Sequence, residues 1–290
     1  MFGHEVKGAK RWIFGVQPSE FLKPAFVVLA AWAISEGVKR RDLPANWIAI
    51  LLFPATVVPL ILQPDFGQTM LLSLVWGALF FMAGLHWFWL GGLGAGGAAS
   101  VVLAYRFVPH VRARIMHFLD PGQMGGISDT FQVDTARDSF ISGGWFGKGP
   151  GEGVFKQILP DAHTDFIFAV TGEEFGLLFC MFIVGIYAFI VLRALLKASR
   201  DDDPFCRFAT AGLALLFGIQ ASINMAVNLH LMPAKGMTLP FISYGGSSLI
   251  SLGITVGFLL ALTRKRPKSA ILFDRAESGS AGEPMGVPAE

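Results

Sequence analysis

The chain has 290 residues, 53% of them hydrophobic and only 15% charged, with a net charge of +2. A soluble domain carries about a quarter charged residues, so this composition argues against a soluble globule and for several membrane crossings. The small net charge gives no electrostatic footprint for nucleic acid. Two cysteines, Cys180 and Cys206, both in or beside apolar segments, rule out a disulfide framework. Met1 to Arg11 is polar and basic with no apolar core behind it, so it does not read as a signal peptide.

Seven apolar stretches, near 19–37, 46–62, 67–84, 86–107, 165–193, 205–231 and 241–263, are long enough to cross a bilayer. The expected fold is an all-α polytopic membrane protein with seven transmembrane helices. The second stretch carries Pro54 and Pro59, which a membrane helix tolerates where neighbours satisfy the freed backbone. The fourth carries Gly91, Gly92, Gly94, Gly96 and Gly97; with no strand before them they read as helix-packing residues and not as a nucleotide loop. Basic residues sit between the first two stretches (Lys39, Arg40, Arg41), around the fifth-to-sixth link (Arg193, Lys197, Arg200) and after the seventh (Arg264 to Lys268). Alternating spans put all three on one side, which the positive-inside rule makes cytoplasmic, together with the C-terminus. The organisation is then an external segment 1–18, four spans over 19–107, a large periplasmic loop 108–164, three spans over 165–263, and a tail 264–290 whose composition predicts disorder.

Loops longer than about 15 residues are usually functional or disordered. The 108–164 loop holds Phe131, Phe140, Trp145, Phe146 and Phe155 among balanced charges, which predicts a folded cap with short interfacial helices. Its run from Gly143 to Gly153 contains Lys148 but no Walker Ser or Thr after the lysine, so it reads as a loop or an anion nest.

Ionisable residues at the ends of membrane helices mark function by default. Glu20, Lys23, Asp65, Asp165 and Lys235 all fall near the external face. Glu20 and Lys23, three apart on one helix face, read either as a neutralising pair or as a site where Lys23 meets an anionic ligand. Asp65 reads as a cap for the third helix or a partner for Lys23 or Arg11, and Glu173 with Glu174 as paired structural groups. Asp165 opens the fifth helix after His163 and Thr164, at the membrane surface, and is a candidate general base. No convincing metal-ligand spacing is visible.

Five motifs in order carry a family resemblance. They are Gly8-Ala9-Lys10-Arg11-Trp12, Gln17-Pro18-Ser19-Glu20, Gln63-Pro64-Asp65-Phe66-Gly67, Leu159 to Phe168 with Gly172-Glu173-Glu174, and Lys235 to Pro240 through Gly245-Gly246-Ser247-Ser248. From Gly8 to about Arg264 the chain resembles the SEDS (FtsW/RodA/SpoVE-like) family of wall polymerases. Phe131 to Thr135 and the Gly143–Gly153 loop look more like its division-type branch, FtsW, than its elongation type. The family has ten membrane helices, so the resemblance implies helices four to ten here, with three missing at the N-terminus. It also implies a peptidoglycan glycosyltransferase that extends glycan strands on undecaprenyl pyrophosphate from lipid II at the division septum of the bacterial plasma membrane. Asp165 matches the family's essential aspartate, and Lys23, Glu20 and Asp65 match polar residues lining its cavity. Arg11, Lys148 and Lys235 are further pyrophosphate candidates, with His163 and Thr164 beside the base. The implied cofactor is a divalent cation, Mg or Mn, with no organic cofactor. The implied partners are a class B penicillin-binding transpeptidase and other divisome membrane proteins. A lipid II flippase and a non-catalytic divisome scaffold are the alternatives; charges clustered at the outer face under a large cap, not at the midplane, speak against the flippase.

Overall fold

The structure, a computed structural model, describes residues 4–6, 9–12, 15–39, 45–63, 65–84, 87–107, 112, 116, 127–232 and 236–264. The predicted 264–290 tail, apart from Arg264, and most of the loop before residue 127 lie outside them. Among the described residues the fold is all-helical except for one N-terminal hairpin. Its strands β1 (His4–Val6) and β2 (Ala9–Trp12) pair antiparallel, where the sequence suggested only a polar segment.

Among the described residues, seven apolar helices lie in the expected spans, and two further helices lie in the loop before the fifth. In chain order they are α1 (Pro18–Lys39), α2 (Ala45–Leu62), α3 (Phe66–Met82), α4 (Trp87–Phe107), the cap helices α5 (Ile127–Gly143) and α6 (Phe155–Ile158), then α7 (Ile167–Ala198), α8 (Pro204–Asn228) and α9 (Gly246–Thr263). Among the described residues, α1, α7, α8 and α9 are long and apolar enough to cross a membrane, and the shorter α2 and α3 are also apolar. Both prolines of α2 lie inside one continuous helix, and the glycines of α4 are helical. The last helix starts at Gly246, not at 241. Pro240 has no backbone N–H to give, and Phe241 takes a left-handed φ of 61°, so the chain cannot enter a helix there.

Helix α8 is the axis of the bundle, packed on α1, α3, α5, α7 and α9. It can be central because its faces are made of small residues. Ala209, Ala211 and Ala214 are buried, and a Cβ on Gly212 would meet Val27 of α1 at 2.7 Å and Leu79 of α3 at 3.1 Å. Without a hydrophobic driving force between helices in lipid, such close approach and its dispersion contacts hold the bundle together. The large apolar residues left outside, such as Leu51, Leu62, Phe182, Phe189 and Leu260, then face hydrocarbon as solvent.

Helix α7 is broken. At 32 residues it would run ~48 Å if straight, well beyond a ~30 Å hydrocarbon core. Gly176, at φ 80° and ψ 177°, divides it. Ala169 bonds to Asn228, and Val191 touches Gly218, so ~33 Å of α7 path passes against only ~15 Å of α8. The first part, 167–175, therefore lies across the end of the bundle, and the second, 177–198, crosses it. The glycine-rich loop after α5 mends the break. Leu177 N and Leu178 N donate to the carbonyls of Gly144 and Trp145, while Lys148 N and Gly149 N donate to those of Glu173 and Glu174. A Cβ on Gly143, Gly147 or Gly176 would overlap facing backbone, so glycine is needed at this crossing.

Residues 236–245 form a second non-helical piece at helix depth. They run along α8, with Met237 O on Asn224, Thr238 O on Gln220 and Phe241 packed on Phe217, and Tyr244 N then returns to His163 O. Irregular backbone at this depth is tolerated only when protein groups satisfy it. Gln220, Asn224, Ser243 and the Tyr187 hydroxyl, which donates to Pro240 O, do so here.

Candidate active site

Polar groups gather where α1, α3, α7, α8 and α9 meet under the cap. The first cluster is dry. Lys23 Nζ lies 2.7 Å from Glu20 Oε2 and donates to Gln220 Oε1 at 3.0 Å, with the lysine only 2% exposed. Gln68 Nε2 donates to Glu20 Oε1 at 2.8 Å, and Ser251 Oγ donates to the Glu20 carbonyl. Gln220 Nε2 donates to Thr238 O, and Thr238 and Ser248 share a hydroxyl contact of 2.7 Å. Asp65, also buried, caps α3 by accepting from Gln68 N at 3.3 Å. Of the two sequence readings for Glu20 and Lys23, the geometry gives the neutralising pair.

The second cluster is half open. Asp165 ends the turn 161–165, in which the Asp161 carbonyl accepts from the amides of Thr164 and Asp165 while Asp161 itself sits at φ 58°. Two buried amides of α8 fix the backbone of Asp165. Asn224 Nδ2 donates to Asp165 O at 2.9 Å and to Met237 O at 2.6 Å, and Asn228 Nδ2 donates to Asp165 O at 3.0 Å. Asn228 Oδ1 accepts from Ala169 N. The carboxylate faces the 236–239 strand of chain: a Cβ on Gly236 would stand 3.5 Å from Asp165 Oδ2. Asp165 is partly exposed, His163 beside it is exposed with its ring edge-on to Tyr244 at 5.9 Å, and the Thr164 hydroxyl is turned back to Asp161 O.

The third cluster belongs to the cap. Glu173, fully buried, accepts from Lys148 Nζ at 3.2 Å and from the amides of Val154 and Phe155. Glu174 pairs with Lys156 at 2.7 Å. The two glutamates, expected as structural groups, hold Lys148 and the residues that leave the glycine-rich loop, Val154 to Lys156. The structure thus joins Glu20, Lys23, Asp65 and Asp165 around α8 and gives Lys148 to the cap. Lys235 and the side chain of Arg11 lie outside the described residues.

Gln220, Asn224 and Asn228 were not among the expected residues. Their signal is spacing: three amides at i, i+4 and i+8 on one face of an otherwise apolar helix, each of which needs a partner there. Among the described residues, no three His, Cys, Asp or Glu side chains converge to hold a metal ion.

A family model described as a cell cycle protein, for FtsW, RodA and SpoVE, matches residues 1–268. The chain belongs to the FtsW/RodA/SpoVE family. It is 50% identical over 269 residues to the probable peptidoglycan glycosyltransferase FtsW of Caulobacter vibrioides, covering 91% of this chain and 68% of that protein. It is 40% identical to the protein of the same name from Trichlorobacter lovleyi, covering 90% and 70%. Its fold is similar to a chain in a peptidoglycan synthase complex solved for its coordination of polymerization and crosslinking, with TM-score 0.74, 28% identity, and coverage of 92% and 76%. Thermus thermophilus RodA, a rod shape determining protein, gives TM-score 0.63 at 27% identity, covering 92% and 73%. The family places the chain as a multi-pass inner-membrane protein of FtsW type, with peptidoglycan glycosyltransferase activity. The chain spans about two thirds to three quarters of these relatives.

Proposed function

We propose that this FtsW-type chain polymerises lipid II into glycan strands on undecaprenyl pyrophosphate during cell division, with Asp165 as general base. The observation that carries the reading is the asymmetry of the carboxylates. Glu20 and Glu173 are buried, whereas Asp165 is partly exposed, with its backbone carbonyl fixed by Asn224 and Asn228. The 4-hydroxyl oxygen of the incoming sugar attacks the anomeric carbon of the strand. Its proton passes to Asp165, the bond from anomeric carbon to pyrophosphate oxygen breaks, and pyrophosphate leaves with that electron pair. Configuration inverts at the anomeric carbon.

The pyrophosphate charge needs cations near Asp165. Lys235 and Arg11 are the candidates, because Lys23 is already neutralised by Glu20 and Lys148 by Glu173. Lys23, Glu20 and Asp65 act as positioning residues for α1 and α3. Among the described residues no three His, Cys, Asp or Glu side chains converge, so protein ligands to a divalent cation would be one or two carboxylates such as Asp165. A magnesium or manganese ion would enter on the pyrophosphate oxygens. The cap end faces the periplasm and the α1–α2 and α7–α8 links face the cytoplasm with the C-terminus, as the basic residues favour. The partner is a class B transpeptidase at the septum, by analogy with the synthase complex.

The test is lipid II polymerisation in proteoliposomes by wild type and Asp165→Ala. Loss of glycan polymer at unchanged yield and melting temperature is the expected result. Retained polymer would remove Asp165 from the chemistry.

A further inference from the structure

Helix α5 changes character along its exposed side. Among the described side chains, the outward residues of its middle include Asp134, Arg137 and Asp138; at its end and into the loop they include Ile141, Trp145 and Phe146. The last three are 67%, 62% and 82% exposed, far more than a water-facing loop tolerates for three large apolar groups in one run. The loop that carries them is fixed in space. Its carbonyls at 144 and 145 bond to Leu177 N and Leu178 N, the first residues of the crossing part of α7. From Leu177 to Ala198 that part spans ~33 Å, the thickness of a hydrocarbon core, so its first residues stand at the membrane boundary. Leu177, Leu178, Phe179 and Phe182 are all exposed on it, and Phe146 and Trp145 continue the same apolar surface upward. The two lysines at the loop, Lys148 and Lys156, are taken up by Glu173 and Glu174, which leaves Glu152 as its exposed charge.

We infer that Ile141, Trp145 and Phe146 form a wedge that inserts into the interfacial layer of the bilayer beside α7 and anchors the cap on the lipid surface. The partner is the glycerol and upper acyl region of ordinary phospholipid, not a protein. An aromatic tip at this depth is stabilised because the rings leave water while the loop backbone stays bonded to the broken helix. The wedge fixes the height of the 143–153 loop, and through Glu173 and Glu174 it fixes the half-helix that begins two residues after Asp165.

A nitroxide reads this directly. Phe146→Cys would be labelled in full-length protein lacking Cys180 and Cys206, in nanodiscs of phosphatidylethanolamine and phosphatidylglycerol, with collision measured against oxygen and a nickel chelate. Arg137→Cys serves as the water reference and Leu178→Cys as the lipid reference. The label at 146 is expected to match 178, with an oxygen-to-nickel ratio at least about threefold that at 137. A ratio equal to that at 137 places the tip in water and overturns the wedge. Protection from both reagents shows protein cover and overturns it equally. Ile141→Cys repeats the comparison at an independent position should the first variant fold poorly.

Discussion

Two polar clusters stand about one helical turn apart on α8 and are handled in opposite ways. Around Gln220, the Glu20–Lys23 pair is sealed from water, and each of the two charges meets its counter-ion or an amide. Around Asn224 and Asn228, two amides hold the backbone carbonyl of Asp165, and the residue is partly exposed. Burying an ion costs several kcal/mol unless it is paired, so the first arrangement is what the bundle requires in order to fold at all. The second suits the proposed proton acceptor, which needs a fixed backbone and some exposure. Two sets of charged residues that look alike in the sequence are therefore set apart by burial, and the proposed mechanism makes the first scaffold and Asp165 the base.

Substitution should separate them. Asp165→Asn is expected to lower polymerisation by ~10²- to 10⁴-fold while the melting temperature stays at the wild-type value. Lys23→Met should do the reverse. It leaves Glu20 as an uncompensated buried charge, a loss of about 3–5 kcal/mol, read as reduced yield and a lower melting temperature in nanodiscs. The double variant Glu20→Gln with Lys23→Met removes both charges and should recover most of that stability. If the double variant is stable yet inactive, Lys23 belongs with Asp165 after all. Between these extremes lies Asn228→Leu. It strips one donor from Asp165 O and the acceptor from Ala169 N, costing about 1–3 kcal/mol for the groups left unsatisfied. Because it acts on the base through its backbone, kcat should fall with KM for lipid II unchanged. A raised KM at constant kcat would instead place Asn228 in substrate binding.

How much of this is legible in the sequence depends on which physical signal is strong. The helices are, because an apolar run of roughly 20 residues matches the thickness of a bilayer core, and soluble folds seldom need one. The ion-paired reading of Glu20 and Lys23 is one of two open from their spacing. The break in α7 is not legible. Gly176 lies in an apolar, helix-forming run, and what bends the chain is backbone contact with the 143–149 loop, far away in sequence. The amides of α8 escape notice because they carry no charge, although a buried Asn imposes the same demand for partners as an ion does, at smaller scale. The 236–245 dip reads as a short link because its apolar residues, Leu239 to Ile242, continue smoothly into the hydropathy of α9.

The smallest expected effect comes from an ion pair of the same chemistry set in water. Lys39 Nζ lies 2.9 Å from Asp203 Oδ1 at the opposite end of the bundle, with both side chains well exposed. The hydrogen bond from Lys39 holds the Asp203 carboxyl below the usual carboxylate range, against a desolvation penalty, and the bonds from Cys206 add to it. A depressed folded value means that the contribution is fully present above the ordinary carboxylate pKa near 4 and fades as pH falls through the lower folded value. Solvent screening keeps it small. Asp203→Asn keeps a side-chain oxygen to cap α8 but loses the charge, so its melting curve should sit slightly below wild type at pH 7 and merge with it in acid. Added salt should close the same gap at neutral pH, whereas the gap opened by Lys23→Met should persist, since ions in solution cannot reach a charge sealed among α1, α3 and α8.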